Sequence, residues 1–234
     1  MFGKKNILST RLIHHKQFWQ LKRLNSTQFQ DEFKVTMSRI CSPAMILTAG
    51  CEPKKGLNSL HGMTLSSVCS LSVYPNPLLQ FNLHLPSYTS KSLHENDGYL
   101  ALHMLPPSPK AALLGRTFAS GIKRDPRHFD TKPKVNDDGS IFHEMTTPFT
   151  KIDSNDFIMH KVNEEVEIPI LKELERVFVC NKKQVFEVDN HEIWVVNVLQ
   201  ILNPNAKYSQ QTSKTGGLLY YDRGFHKVGA SLRD

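Results

Sequence analysis

No stretch of this 234-residue chain is apolar for long enough to cross a bilayer. The longest runs, Ala44–Ala49 and Ile193–Leu202, fall well short of the ~20 residues that a spanning helix requires. The four cysteines, Cys41, Cys51, Cys69 and Cys180, contain no C-x-x-C pair. The 11 histidines add no zinc spacing and no H-E-x-x-H, so no metal centre is predicted. There is no G-x-G-x-x-G, which argues against a dedicated dinucleotide domain, and no Ser-His-Asp or Cys-His arrangement for covalent catalysis. Internal repeats and a second hydrophobic core are also missing. What remains, 39% hydrophobic and 22% charged, is globular in composition and excludes wholesale disorder.

The sharpest absence is acidic. The first 30 residues hold Lys4, Lys5, Arg11, Lys16, Lys22 and Arg23, and the first carboxylate is Asp31. Removing those six from the 29 basic residues leaves 23 against 22 acidic ones, so the formal charge of +7 is almost all terminal. That segment also carries Ser9, Thr10, Ser26 and Thr27, with bulky Leu8, Leu12, Phe18 and Trp19. Basic, hydroxylated, acid-free and apolar-spiked is the composition of a mitochondrial presequence, and no uninterrupted apolar run supports a secretory signal. The competing reading is a disordered basic tail that binds RNA or lipid. We take residues 1–34 as an unfolded targeting presequence for the mitochondrial matrix and 35–234 as one domain. That domain is nearly neutral, so a nucleic-acid partner is not expected, and a reducing matrix would leave the cysteines as free thiols.

Beyond residue 35 the pattern is of strands. Leu79, Phe81, Leu83 and Leu85 alternate with Gln80, Asn82 and His84. Pro43–Ala49, Leu100–Met104, Leu174–Cys180 and Ile193–Leu202 read as further strands. Between Gly62 and Val73 the alternation slips twice, which predicts a bulge or short loop carrying Ser66 and Ser67. Two helices are expected. One starts at the caps Ser87, Thr89 and Ser90 and ends near Gly98. The other is bracketed by Ser108, Pro109 and Gly121, with Ala111, Leu114 and Phe118 on one face. Residues 121–160 read as a long polar excursion with a hairpin near Asp138–Gly139. Many strands, few helices and no βαβ alternation predict a mainly β protein, an antiparallel barrel with short helices.

Four segments could carry chemistry. In His61–Val68, a glycine and three hydroxyls at a strand break could present N–H and O–H donors to a flat polar ring. An ordinary Ser/Thr-rich turn has the same composition. In Leu83–Thr89, a strand enters a helix N-terminus with two hydroxyls, which suits phosphate and suits plain helix capping equally. Asp189-Asn190-His191 precedes a strand, where a histidine can orient a nicotinamide or simply sit in a solvated turn. Leu218–His226 is aromatic and ends in a Tyr-Tyr-Asp-Arg-Gly turn, and packs as a surface strand equally well.

Taken in order, G-M-T-x-S-S, S-x-T-x-x-x-L, the Phe118–Ala119 pair, D-N-H and L-L-Y-Y-x-R-G resemble the flavin reductase-like family. The resemblance covers roughly residues 36–120 and 165–229. It implies an FMN-binding split barrel, Greek-key-like in its strand order, an NAD(P)H-dependent oxidoreductase activity and a homodimer with FMN near the subunit interface. By position it implies that Thr64, Leu65, Ser66, Ser67 and Val68 lie along the isoalloxazine, and that Ser87 and Thr89 hold the phosphate. It also implies that Phe118 flanks the cofactor and that His191 serves catalysis on the nicotinamide side. Asp189 stands where the family's Gly-Asp-His motif has glycine, which removes the glycine from that turn. A non-enzymatic FMN-binding module of a mitochondrial assembly is the alternative.

Overall fold

The computed structural model describes residues 26–119, 148–208 and 214–232. The helix α1 (Ser26–Met37) comes first and crosses the boundary expected at residue 34. The expected hairpin at Asp138–Gly139 and the basic segment 1–25 lie outside the described residues.

Strands follow in the order β1 (Ser42–Pro43), β2 (Met45–Ala49), β3 (Gly62–Leu65), β4 (Cys69–Ser72) and β5 (Leu78–His84). The helix α2 (Tyr88–Glu95) leads to β6 (Leu100–Met104), and α3 (Pro109–Ala119) follows. The remainder is β7 (Phe157–Lys161), β8 (Glu167–Leu171), β9 (Arg176–Val188), β10 (His191–Leu202), β11 (Leu219–Tyr221) and β12 (Gly224–His226). Every pairing is antiparallel.

The main sheet has seven strands in the order β3-β2-β6-β9-β10-β5-β4. Laid flat, its edges would stand nearly 30 Å apart, at about 4.8 Å per strand spacing. Its two edge strands, however, are consecutive in sequence and joined only by Ser66, Ser67 and Val68. Three residues bridge no more than about 14 Å between strand ends. The sheet therefore curls into a barrel, and the slip in alternation is the place where the chain steps from one edge to the other. Phe81 and Trp194 stack in the interior at 6.2 Å, among Leu47, Leu83, Leu102 and Val196.

One expected strand is covered on a second face, and two expectations need correction. The strand β6 alternates in sequence but is buried on both faces: Leu100 and Leu102 point into the barrel, and Ala101 and His103 are equally buried. The β7–β8 hairpin covers the outer side, where Thr48 Oγ1 donates to the Pro169 carbonyl at 2.7 Å. First, residues 148–160 of the expected excursion form two short 3-10 turns and the start of β7. From Pro148 the chain is built into the fold, with Phe149 fully buried and edge-on to Phe118 at 5.3 Å and Phe157 at 5.0 Å. Second, the strand expected at Leu174–Cys180 runs on to Val188, because Asn181–Val188 keeps pairing with β10. The two helix starts are as expected: Ser87 Oγ accepts from Ser90 N at 3.0 Å and Ser108 Oγ from Ala111 N at 3.2 Å.

Candidate functional site

The barrel brings three of the four segments together. β5 pairs with β10 so that His84 faces His191 and Asn82 faces Ile193. The turn between β9 and β10 therefore sits at the point where β5 hands over to α2. There Leu85 N donates to the Asn190 carbonyl at 2.8 Å, and the His84 and His191 rings meet edge-on at 4.8 Å. The step between the barrel edges arrives from the other side: Asn82 N donates to Ser67 Oγ at 3.1 Å. The hydroxyl hydrogen of Ser67 faces the Asn82 carbonyl at 3.5 Å, a length at which it holds little of that bond's strength.

Between these parts lies a cleft of about 330 Å³, lined by Ser67, Gln80, Asn82, Asp189, His191 and the apolar Val188 and Ile193, with Phe81 beneath. Polar groups thus ring an apolar floor. That suits a planar heteroaromatic ring with an apolar face and hydrogen-bonding edges.

Of the predicted site residues, Ser67 and His191 line this cleft. Ser66 is exposed in the same loop. Leu65 and Val68 turn their side chains into the barrel core, so only their backbone faces the loop's surroundings. Thr64 Oγ1 donates to the Gly115 carbonyl at 2.7 Å, tying β3 to α3. Phe118 belongs to the core under α3. It packs beside Gly62, where an added Cβ would stand 2.5 Å from the Leu47 carbonyl oxygen and 3.1 Å from Phe118 Cε1. Glycine is needed there for close approach. Ser87 caps α2, and Thr89 is fully buried in its first turn. The fourth segment lies across α3 rather than in the cleft: Phe225 fills the space left by Gly115 and stands under Arg116 at 5.6 Å.

Asp189 keeps the turn without glycine. Its φ is +51°, in the left-handed region that aspartate enters more readily than most residues. His191 therefore follows a turn of the shape a glycine would give.

Sequence reasoning missed Gln80, Asn82 and Glu192. The first two are the polar members of the most regular strand and lie on its non-core face, which is the signal that could have found them. Glu192 is the one carboxylate in β10, and it is buried. Its Oε2 accepts from Ser90 Oγ at 2.6 Å and Trp194 Nε1 at 2.9 Å, and its Oε1 lies 2.9 Å from His94 Nε2. Burial alone would raise its pKa, but the hydrogen bonds from Ser90, His94 and Trp194 outweigh it and hold the carboxyl below its ordinary value. The network locks α2 against β10 immediately behind His191.

An antiparallel barrel with a polar-rimmed cleft on its sheet is a small-molecule binding scaffold, and comparison with known proteins says of which kind. The flavin reductase like domain matches residues 37–229, and the chain belongs to that family. It is a flavin reductase-like oxidoreductase. Among solved structures it is similar to a flavin reductase domain protein from Arthrobacter sp. FB24, at 19% identity and TM-score 0.59, covering 88% of this chain and 99% of that one. It is similar also to the NADH:FAD oxidoreductase of Streptomyces globisporus, at 14% and 0.60, covering 91% and 95%. A third is the styrene monooxygenase flavin reductase of Pseudomonas putida S12, at 18% and 0.54, covering 86% and 99%. At these identities the likeness is one of fold, and the fold is the split barrel.

Proposed function

We propose that the cleft holds the ring of FMN and that NAD(P)H is the electron donor. The observation that carries this reading is the convergence of Ser67 and His191, distant in sequence, on one polar-rimmed, apolar-floored cleft. Held in this cleft, a flavin would supply two-electron hydride chemistry.

The protein's part is to bind and orient. The Ser67 hydroxyl hydrogen is placed to donate to a ring carbonyl. Thr64, Leu65, Ser66 and Val68 fix the loop, through the Thr64 tie to Gly115 and the buried Leu65 and Val68 side chains. Phe118 sets the height of α3 against Gly62. Ser87 and Thr89 shape the α2 N-terminus, whose dipole attracts a phosphate. His191 seats the nicotinamide, braced by His84.

Phe186 and Val188 are exposed on β9, beside Ile193 and His191 in the register of β9 and β10. A second copy packed on this apolar patch would cover it and close the adjoining cleft, so we infer a homodimer. The acid-free first 30 residues support a mitochondrial presequence over residues 1–34 and a matrix location.

FMN titration of the purified full chain, followed by quenching of flavin fluorescence, tests the cofactor. Ser67→Ala should weaken uptake at least fivefold while Ser154→Ala leaves it unchanged. Equal affinity in both refutes the cleft. Under anaerobic conditions NADH or NADPH should bleach the bound flavin, and His191→Ala should raise the nicotinamide KM with little change in FMN affinity. Sedimentation of the parent and Phe186→Glu checks the dimer, and import of a residue 1–35 reporter fusion into isolated mitochondria checks the address.

A further inference from the structure

A second chamber, of about 240 Å³, opens at one mouth of the barrel. Its walls are Met45, Val68, Leu79, Met104, Phe178 and Leu218, and among the described residues no charged side chain lines it. Ser70 and Cys69 stand at its rim, both exposed. The β4–β5 pair divides it from the cleft described above. Val68, Ser70 and Leu79 face the chamber, whereas Ser67, Gln80 and Asn82 face the cleft, and Cys69, whose Sγ accepts from Gln80 Nε2 at 3.0 Å, sits on the divide.

The fourth wall is a strap, residues 214–218, held at a fixed height over the mouth. On one side Leu218 N donates to the Leu105 carbonyl at 2.7 Å, and on the other the Leu218 carbonyl accepts from Ala44 N at 2.8 Å. Upstream, Thr215 is hooked to Glu175, a carboxylate only 6% exposed. Thr215 Oγ1 donates to Glu175 Oε2, Thr215 N approaches Oε1 at 3.4 Å, and Gly217 N donates to Thr215 Oγ1 at 3.1 Å. Two consecutive left-handed glycines, Gly216 at φ +78° and Gly217 at φ +74°, make the bend, and Gly217 presents bare backbone to the chamber. The strap is pinned at both edges, so it does not sink to fill the space beneath.

We propose that this chamber is a binding site for a small uncharged aromatic molecule of one or two rings, separate from the flavin cleft. Size sets the upper bound: an apolar cavity of about 150 Å³ accepts a benzene ring, and this one adds room for a second ring. Chemistry sets the class. A carboxylate or ammonium would lose its hydration with no countercharge to meet, whereas an aromatic face meets Phe178 and two methionine thioethers that adapt to its shape. The Ser70 hydroxyl at the rim can serve one polar substituent. The site does not depend on the flavin assignment, because none of its walls is a side chain given to the flavin except Val68, whose side chain faces the barrel.

The test uses the flavin-free full chain with 13C-methyl methionine, titrated with 2-naphthol and, separately, with 2-naphthoate at neutral pH. With 2-naphthol the Met45 and Met104 methyl resonances should move saturably while Met159, on β7, stays still. With 2-naphthoate neither should move. Ser70→Phe, which fills the rim from an exposed position, should weaken 2-naphthol binding at least tenfold. Thr215→Val changes no side chain that lines the chamber but frees the strap, and should weaken it several-fold. Stationary Met45 and Met104 resonances overturn the proposal, as does unchanged affinity in a natively folded Ser70→Phe. Displacement of 2-naphthol by one equivalent of FMN would make the chamber part of the flavin site, and would overturn its independence while leaving the flavin reading intact.

Discussion

Acidification should weaken this fold through one buried imidazole. His103 has no exposed surface and is held between three strands. The Leu171 N–H donates to its Nε2 at 3.2 Å, so the other nitrogen, Nδ1, carries the hydrogen and donates to the Ile46 carbonyl at 2.9 Å. Both positions are taken in the neutral form, and a proton on Nε2 would face a donor. Burial pushes the imidazole pKa down from 6.5 to about 4, with the Ile46 bond opposing it. The unfolded chain binds this proton near pH 6.5 and the folded chain does not until about pH 4. The unfolded state therefore holds more protons in that window, and stability falls as pH falls through it. Each pH unit is about 1.4 kcal/mol, so the loss approaches 3 kcal/mol by pH 4, and above pH 7 the contribution is flat. Urea unfolding at intervals from pH 7.5 to 4, on the parent and on His103→Gln, isolates it. Glutamine can donate to Ile46 and accept from Leu171 but does not titrate. Its curve should start lower and run flatter, whereas carboxylates such as Glu192 affect both proteins alike. Parallel curves would sink the assignment of His103 as a buried neutral donor–acceptor.

Other outcomes follow from single positions. Burial, aided by the Glu167 charge, pushes the Cys51 thiol to about 11, and burial pushes Cys180 to about 12. An aromatic disulfide reagent at neutral pH should therefore modify Cys41 and Cys69 in the native protein, and all four only in urea; fast labelling of Cys51 or Cys180 would contradict the burial. Gly62→Ala should cost ~2 kcal/mol or more in urea unfolding, because the new Cβ meets the Leu47 carbonyl rather than a side chain that can yield. Asp189→Gly should change stability by less than about 1 kcal/mol, whereas Asp189→Val should cost ~1–2 kcal/mol for the same left-handed φ. Equal effects would refute the strained turn.

The parts of the fold visible in the sequence were those where one force acted alone. β5 alternates because only one of its faces meets the core, and α2 and α3 announce themselves through Ser87 and Ser108. Where a second layer intervened, the pattern misled. β6 carries Ala101 and His103 on its outer face, residues that tolerate solvent, yet β8 covers them. β8 itself was concealed by Pro169, which reads as a strand breaker; here it pairs with Met159 in a two-stranded hairpin whose other edge is bridged at Glu167, to Cys51, and not at Pro169. The second half of β9 hid behind Lys182 and Gln184, exposed residues whose pairing with β10 is a backbone matter, with Lys183 the extra residue at the register shift between them.

The site was legible for a different reason. Ser67 and His191 are 124 positions apart by their numbers, and no local pattern relates them. Each, however, sits where a strand must start, stop or change edge, and the barrel gathers such points. Because β3 and β4 are edges joined by three residues, their link has to cross the barrel's seam next to β5. Because β5 pairs with β10, the β9–β10 turn has to lie at the end of β5. Closure of the sheet thus fixes the meeting of the Ser67 step, the end of β5 and the His191 turn, whatever side chains occupy them. What the side chains decide is the chemistry offered there. Replacing the family's glycine by Asp189 changes the rim of the cleft from bare backbone to a carboxylate without moving the turn. A rim carboxylate repels an anionic phosphate and leaves an uncharged ring edge unaffected. The ring, rather than the phosphate, should therefore be the part of the cofactor that lies beside Asp189 and His191, with the phosphate directed toward the α2 N-terminus.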